Sequence, residues 1–152
     1  MIELEGTFMR CGVKNANGRT YDSSIMQQAI SNYQKKVADG KAFGYLGDNQ
    51  DRYCLGEITH PSENIGEISH QITEVNFDEK TGKLFGKVKL LDTPRGKIAQ
   101  AALELMGSMG IAMCGTGEID KDGIIKSIQK IDWFNLCNNP AWEDAIVKPI
   151  KE

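Results

Sequence analysis

The sequence is short of histidine, of net charge and of long apolar runs. Only two histidines, His60 and His70, occur in 152 residues, so imidazole acid–base chemistry must pass through one of them. A formal charge of −3 provides no basic field for a nucleic-acid backbone. No stretch approaches the ~20 apolar residues that a membrane-spanning helix requires, and Met1-Ile2-Glu3-Leu4-Glu5 lacks the basic and apolar regions of a signal peptide. Nucleic acid and membrane are therefore not expected as partners, and the chain is expected to stay where it is made. Four cysteines, Cys11, Cys54, Cys114 and Cys137, are scattered with no C-x-x-C pair. That argues against zinc and, in a reducing compartment, against disulfides, so free and mostly buried thiols are expected. There is no internal repeat and no low-complexity segment.

What is present suits one soluble domain spanning 1–152: 40% of residues are hydrophobic and 26% charged, enough to bury a real core. Alternation of Leu4, Gly6 and Phe8 with Glu5 and Thr7 predicts a strand, ending at the turn-rich Asn15-Ala16-Asn17-Gly18. Asp22 or Ser23 can cap a helix over 23–38, in which Ile25, Met26, Ala29, Ile30, Tyr33 and Val37 recur at helical spacing and Gly40 supplies the stop. Residues 41–53, rich in Gly, Asp and Asn, read as a surface loop. Ile68, His70 and Ile72 alternate with Ser69, Gln71 and Thr73, a strand with His70 on its apolar side. The turn Asp78-Glu79-Lys80-Thr81-Gly82 then joins it to a strand through Leu84, Gly86, Val88 and Leu90. Asp92, Thr93 and Pro94 open a second helix over 94–106 with the apolar stripe Ile98, Ala101, Ala102, Leu105. A Gly-rich apolar stretch, 110–119, and a turn at Asp120-Lys121-Asp122-Gly123 lead to a strand over 124–136, closed by Asn138-Asn139-Pro140.

His60 ends the short apolar run Leu55-Gly56-Glu57-Ile58-Thr59-His60-Pro61. An imidazole near its ordinary pKa of about 6.5 can take a proton from a hydroxyl or thiol and return it, which makes His60 the candidate general base. Glu57 is either a solvated strand residue or a partner that orients this imidazole.

Several stretches, in one order, resemble the prohead (capsid-maturation) proteases of tailed bacteriophages. Ile2-Glu3-Leu4-Glu5-Gly6-Thr7-Phe8-Met9 with Asn15-Ala16-Asn17-Gly18-Arg19-Thr20-Tyr21 resembles that family's first strand and its N-x-N-x-R-x-Y turn. Gly56-Glu57-Ile58-Thr59-His60-Pro61 resembles G-E-L-x-H-P, which carries the catalytic histidine. Ser69-His70 resembles the S-H strand, Asp92-Thr93-Pro94-Arg95-Gly96-Lys97 the D-T-P-x-G-K helix entry, and Asn139-Pro140 an N-P turn. The family is in turn similar to the herpesvirus assemblins, whose Ser-His-His triad makes His70 a candidate third member; a buried structural imidazole is the other reading.

The departure falls at the nucleophile. Where the family has G-(I/V)-S-x-R-G-x-G, this chain has Gly110-Ile111-Ala112-Met113-Cys114-Gly115-Thr116-Gly117. A methyl group at Ala112 neither attacks a carbonyl nor exchanges a proton, and loss of one such member typically costs about 10⁴ to 10⁶ in rate. Either Ala112 replaces a serine by engineering, or the chain is a natural homologue without activity. Cys114 stands where the family has arginine; it is a small buried hydrophobe or an alternative nucleophile. Met106, Met109 and Met113 read as core filler. A second frame is open too, since Gly44-Tyr45-Leu46-Gly47-Asp48-Asn49 echoes G-E-L-x-H-P with Asp48 in the histidine's place.

The resemblance implies an α+β fold, a mostly antiparallel, barrel-like sheet surrounded by helices. It also implies a serine endopeptidase acting on scaffold, core and capsid proteins and on itself, inside the assembling prohead in the host cytoplasm. In an active form the position-112 hydroxyl would attack, His60 would act as base and then acid, His70 would hold His60, and the backbone around Met113, Cys114 and Gly115 would bind the oxyanion. Neither a metal nor an organic cofactor is expected, and self-association stays open. The competing implication is a catalytically silent capsid-assembly component that binds peptide without cutting it.

Overall fold

The structure, a computed structural model, describes residues 2–47, 65–138 and 140–150. Strand β1 (Glu3–Arg10) follows its sequence pattern, with Leu4 and Phe8 fully buried. A register shift between Thr7 and Met9 against the neighbouring strand turns Met9 inward as well. Helix α1 (Ser23–Ala38) begins where Asp22, in extended backbone, accepts the Ser24 N–H at 2.8 Å. Its hydroxyl and backbone bonds from Ser24 hold the Asp22 carboxyl below the usual range. Past the other end Gly40 takes φ +72, the left-handed turn that a side chain resists. Met26, Ala29, Ile30 and Tyr33 form the buried face.

Strand β2 (Phe43–Gly44) pairs with β3 (His70–Asp78), preceded by a short 3₁₀ turn at Ile65–Glu67; β3 then turns into β4 (Lys83–Leu90). Helix α2 (Pro94–Met106) is capped by Thr93, whose hydroxyl accepts the Gly96 N–H at 3.0 Å and donates to the Ile68 carbonyl at 2.6 Å. The cap thus ties the helix to the chain entering β3. Strands β5 (Met109–Ile119), β6 (Ile125–Cys137) and β7 (Ile146–Pro149) complete a sheet ordered β2-β3-β4-β1-β7-β5-β6, antiparallel between neighbours.

The two ends of that order meet. Leu136 of β6 donates its N–H to Tyr45 at 3.1 Å, and Gly47 donates to the Leu136 carbonyl at 3.0 Å, a parallel bridge just beyond β2. The sheet is therefore a nearly closed barrel, which removes most of its exposed edge. Its core holds Leu4, Phe8, Ile72, Leu84, Val88, Ile111, Met113, Phe134 and Val147. Phe134 packs against Phe8 and, from α1, Tyr33, at centroid distances of 5.0 and 5.3 Å.

The α+β barrel and both helices stand where the sequence places them. Four readings are corrected. The buried face of α2 is Gly96, Ala99 and Leu103 and not the expected stripe, since Ile98 and Leu105 are exposed, and Met106, read as core filler, is exposed as well. The expected surface loop 41–53 carries, in its described part, a fully buried Ala42, strand β2 and the barrel-closing bridge at Leu46; a two-residue strand is too short to show a period. Strand β7 was not anticipated, because Ile146-Val147-Lys148-Pro149 is four residues long and ends in proline. The Gly-rich 110–119 stretch lies within β5. Cys11, Cys114 and Cys137 are buried, while Cys54 and the expected His60 strand lie outside the described residues.

Candidate active site

Strand β5 has two faces, and alternation assigns its side chains between them. Met109, Ile111 and Met113 enter the barrel core, whereas Ala112 and Cys114 are buried at 1% and 2% exposure without belonging to it. On β6, Phe134 and Leu136 are core residues, while Trp133, Asn135 and Cys137 are buried outside the core cluster. The register sets Ala112 opposite Asn135, Cys114 opposite Trp133 and Gly110 opposite Cys137. Position 112 thus sits on a buried face averted from the barrel core, among a thiol, an indole and a carboxamide.

The segment after β2 lies against the same face. Tyr45 meets Trp133 edge-on at 5.2 Å, and Gly47 approaches Asn135 so closely that a Cβ there would come within 2.6 Å of the amide nitrogen. Asn135 donates to the Cys114 sulfur at 3.4 Å. The β5–β6 register shifts between Cys114 and Gly115 and again between Thr116 and Gly117, interrupting the ladder just past Cys114. Such bulges re-aim side chains next to sites. Between them Thr116 donates to the buried Asp132 carboxylate at 3.1 Å, which also meets Lys130 at 3.2 Å.

His70 is elsewhere. Its ring is fully buried in the barrel seam, with Nδ1 2.6 Å from the Ser69 hydroxyl and Nε2 2.7 Å from the Phe134 carbonyl. The carbonyl needs a donor, so Nε2 carries the proton and Nδ1 accepts from Ser69. Burial lowers the pKa to about 4, the Phe134 bond opposing it in part. Both ring nitrogens are spent, on Ser69 just before β3 and on Phe134 of β6, which leaves none to orient a second imidazole as the triad expectation required. Gly44 packs against this ring and the Phe134 carbonyl with no room for a Cβ.

Of the expected site residues, the structure brings Ala112, Cys114 and Gly115 to one stretch of β5, and Met113 contributes its side chain to the core instead. His60, Glu57 and Asp48 lie outside the described residues. Among the described residues no cluster of three His, Cys, Asp or Glu could hold a metal ion, and no helix is long and apolar enough to cross a membrane. Asn135 was missed. The available signal was a polar residue set between Phe134 and Leu136, in phase with Trp133 and Cys137.

The described residues form a nearly closed antiparallel barrel with two helices, in which Ala112 is a buried strand position between Gly110 and Gly115. The fold superposes on the capsid assembly protease gp21 of bacteriophage T4 with a TM-score of 0.71, at 20% identity, over 90% of this chain and 81% of that one. Residues 1–151 match the family described as prohead core protein serine protease, and the chain belongs to that family. No curated protein matches it.

Proposed function

We propose that this chain is a prohead maturation protease whose catalytic hydroxyl has been replaced, so that it is inactive as it stands. The observation that carries the reading is position 112. In a chain matching a serine protease family over residues 1–151, it lies on a buried face of β5 outside the core, and it holds alanine. With a serine there, the hydroxyl attacks the scissile carbonyl, His60 takes its proton and later returns it to the leaving amine, and the backbone around Met113, Cys114 and Gly115 binds the oxyanion. His70 serves the barrel seam and not the triad. The chemistry requires no metal or organic cofactor. Scaffold, core and capsid proteins, and the chain itself, are the substrates, met inside the assembling prohead in the host cytoplasm.

A second reading, a silent capsid-assembly component that binds peptide, is favoured by the paired departures at Ala112 and Cys114. Ala112→Ser decides between them when co-expressed with phage scaffold protein. The protease reading expects cleavage that His60→Ala abolishes and Cys114→Ser leaves in place. Scaffold binding without cleavage would favour the silent component. Peptidase activity in the unmodified chain, lost on Cys114→Ser, would make the thiol the nucleophile.

A further inference from the structure

The Asn135 side chain carries an unresolved polar group. The residue is 8% exposed, its amide nitrogen faces the Cys114 sulfur at 3.4 Å, and its Oδ1 is buried with no hydrogen-bond partner among the described residues. Buried polar atoms are nearly always paired, and one left alone is costly enough to need an explanation. Exchanging the two ends of the carboxamide does not remove the problem. The oxygen would then accept the Cys114 thiol, and the nitrogen would be the unpaired end. In either orientation one end of the amide faces away from Cys114 without a partner among the described residues.

The residue directly across the strand pair is Ala112. Cross-strand partners share a face, with Cβ atoms about 4.5 to 5.5 Å apart, so a hydroxyl on residue 112 comes within hydrogen-bond reach of the carboxamide. A hydroxyl both donates and accepts, and satisfies either end. We infer that Asn135 is the positioning residue for the side chain at 112, and that its orphaned amide end is the trace of a hydroxyl missing from this chain. With the nitrogen turned to position 112, the amide donates to the hydroxyl oxygen, fixing its rotamer and leaving its proton for the base. Asn135 touches no substrate in this scheme; it acts through residue 112. The inference rests on the protease reading only for its catalytic consequence, because the pairing itself is a matter of folding.

The test is a double-mutant cycle between Ala112→Ser and Asn135→Leu, a change that keeps volume and removes polarity, followed by urea unfolding. Asn135→Leu alone should be tolerated, since it removes an unsatisfied group. Ala112→Ser should be accepted beside Asn135 and penalised beside leucine, with a coupling of about tenfold in the unfolding equilibrium constant. Equal effects of the serine in both backgrounds would overturn the pairing. Should Asn135→Leu fail to fold, the carboxamide ¹⁵N–H resonances of Asn135 decide: they should shift and exchange more slowly in Ala112→Ser than in the unmodified chain. Unchanged resonances would refute the pairing. If Ala112→Ser cleaves scaffold, adding Asn135→Leu should lower kcat at least tenfold with KM nearly constant; an unchanged kcat overturns the positioning role. Coupling without any cleavage would support the pairing while removing the protease reading.

Discussion

Acid should open the barrel at His70, and the size of the effect follows from the seam. The ring is fully buried and pairs with Ser69 and Phe134 only in its neutral form. Its pKa is about 4 in the fold against an ordinary 6.5, so between those values the unfolded chain binds a proton that the folded chain refuses. Stability rises with pH wherever the unfolded state holds more protons. The contribution is therefore complete above pH 6.5 and is lost as pH falls through 4. At about 1.4 kcal/mol per unit the difference amounts to about 3 kcal/mol. His70→Gln keeps an amide donor for the Phe134 carbonyl but does not titrate. Urea unfolding of both proteins from pH 7.5 to 4 isolates the histidine, because carboxylate effects are common to the pair. The variant should be the less stable at pH 7.5, and the gap should close by about 3 kcal/mol on acidification. A gap that does not change with pH would refute the assignment of a neutral, doubly bonded imidazole.

Other perturbations follow from the same contacts. Gly44→Ala should cost about 3 kcal/mol or more in urea unfolding, because the added methyl meets the Phe134 carbonyl and the His70 ring, neither of which can retreat without parting the seam. Thr93→Ala removes both the Gly96 cap and the bond to Ile68, for an expected loss of about 1 to 2 kcal/mol in unfolding free energy. Burial, opposed in part by a Ser23 hydrogen bond and assisted by Asp22, pushes the Cys11 thiol up to about 12. Iodoacetamide at pH 8 should leave Cys11 unmodified in the native protein and label it rapidly in urea, as followed by peptide mass mapping.

The helices were legible because each carries its own signals. Asp22 and Gly40 bracket α1, and Thr93, Pro94 and Gly107 bracket α2, all acting through backbone bonds within a few residues. The β3–β4 hairpin was legible for the same reason. What closes the barrel was not, because it depends on pairings across the whole chain: Tyr45 and Gly47 with Leu136, and Val147 with Gly6 on one side and Met109 on the other. Such contacts leave little local pattern. At the proposed site, the motif offered alanine at 112 in the family's serine position, and the buried phase of His70 was visible from alternation. The occupation of both His70 nitrogens, and the orphaned amide of Asn135, depend on the β5–β6 register and its bulges, which no spacing rule specifies.

The central claim is that position 112 is the nucleophile site of a serine protease lacking only its hydroxyl. Intact-mass and peptide mapping after exposure to a fluorophosphonate, which reacts with activated serine and releases fluoride, tests it most directly. Ala112→Ser should gain a single phosphonyl adduct at position 112, absent from the unmodified chain and absent when His60→Ala is added. A folded Ala112→Ser protein that takes up no adduct, or one that takes it up equally without His60, would contradict the account.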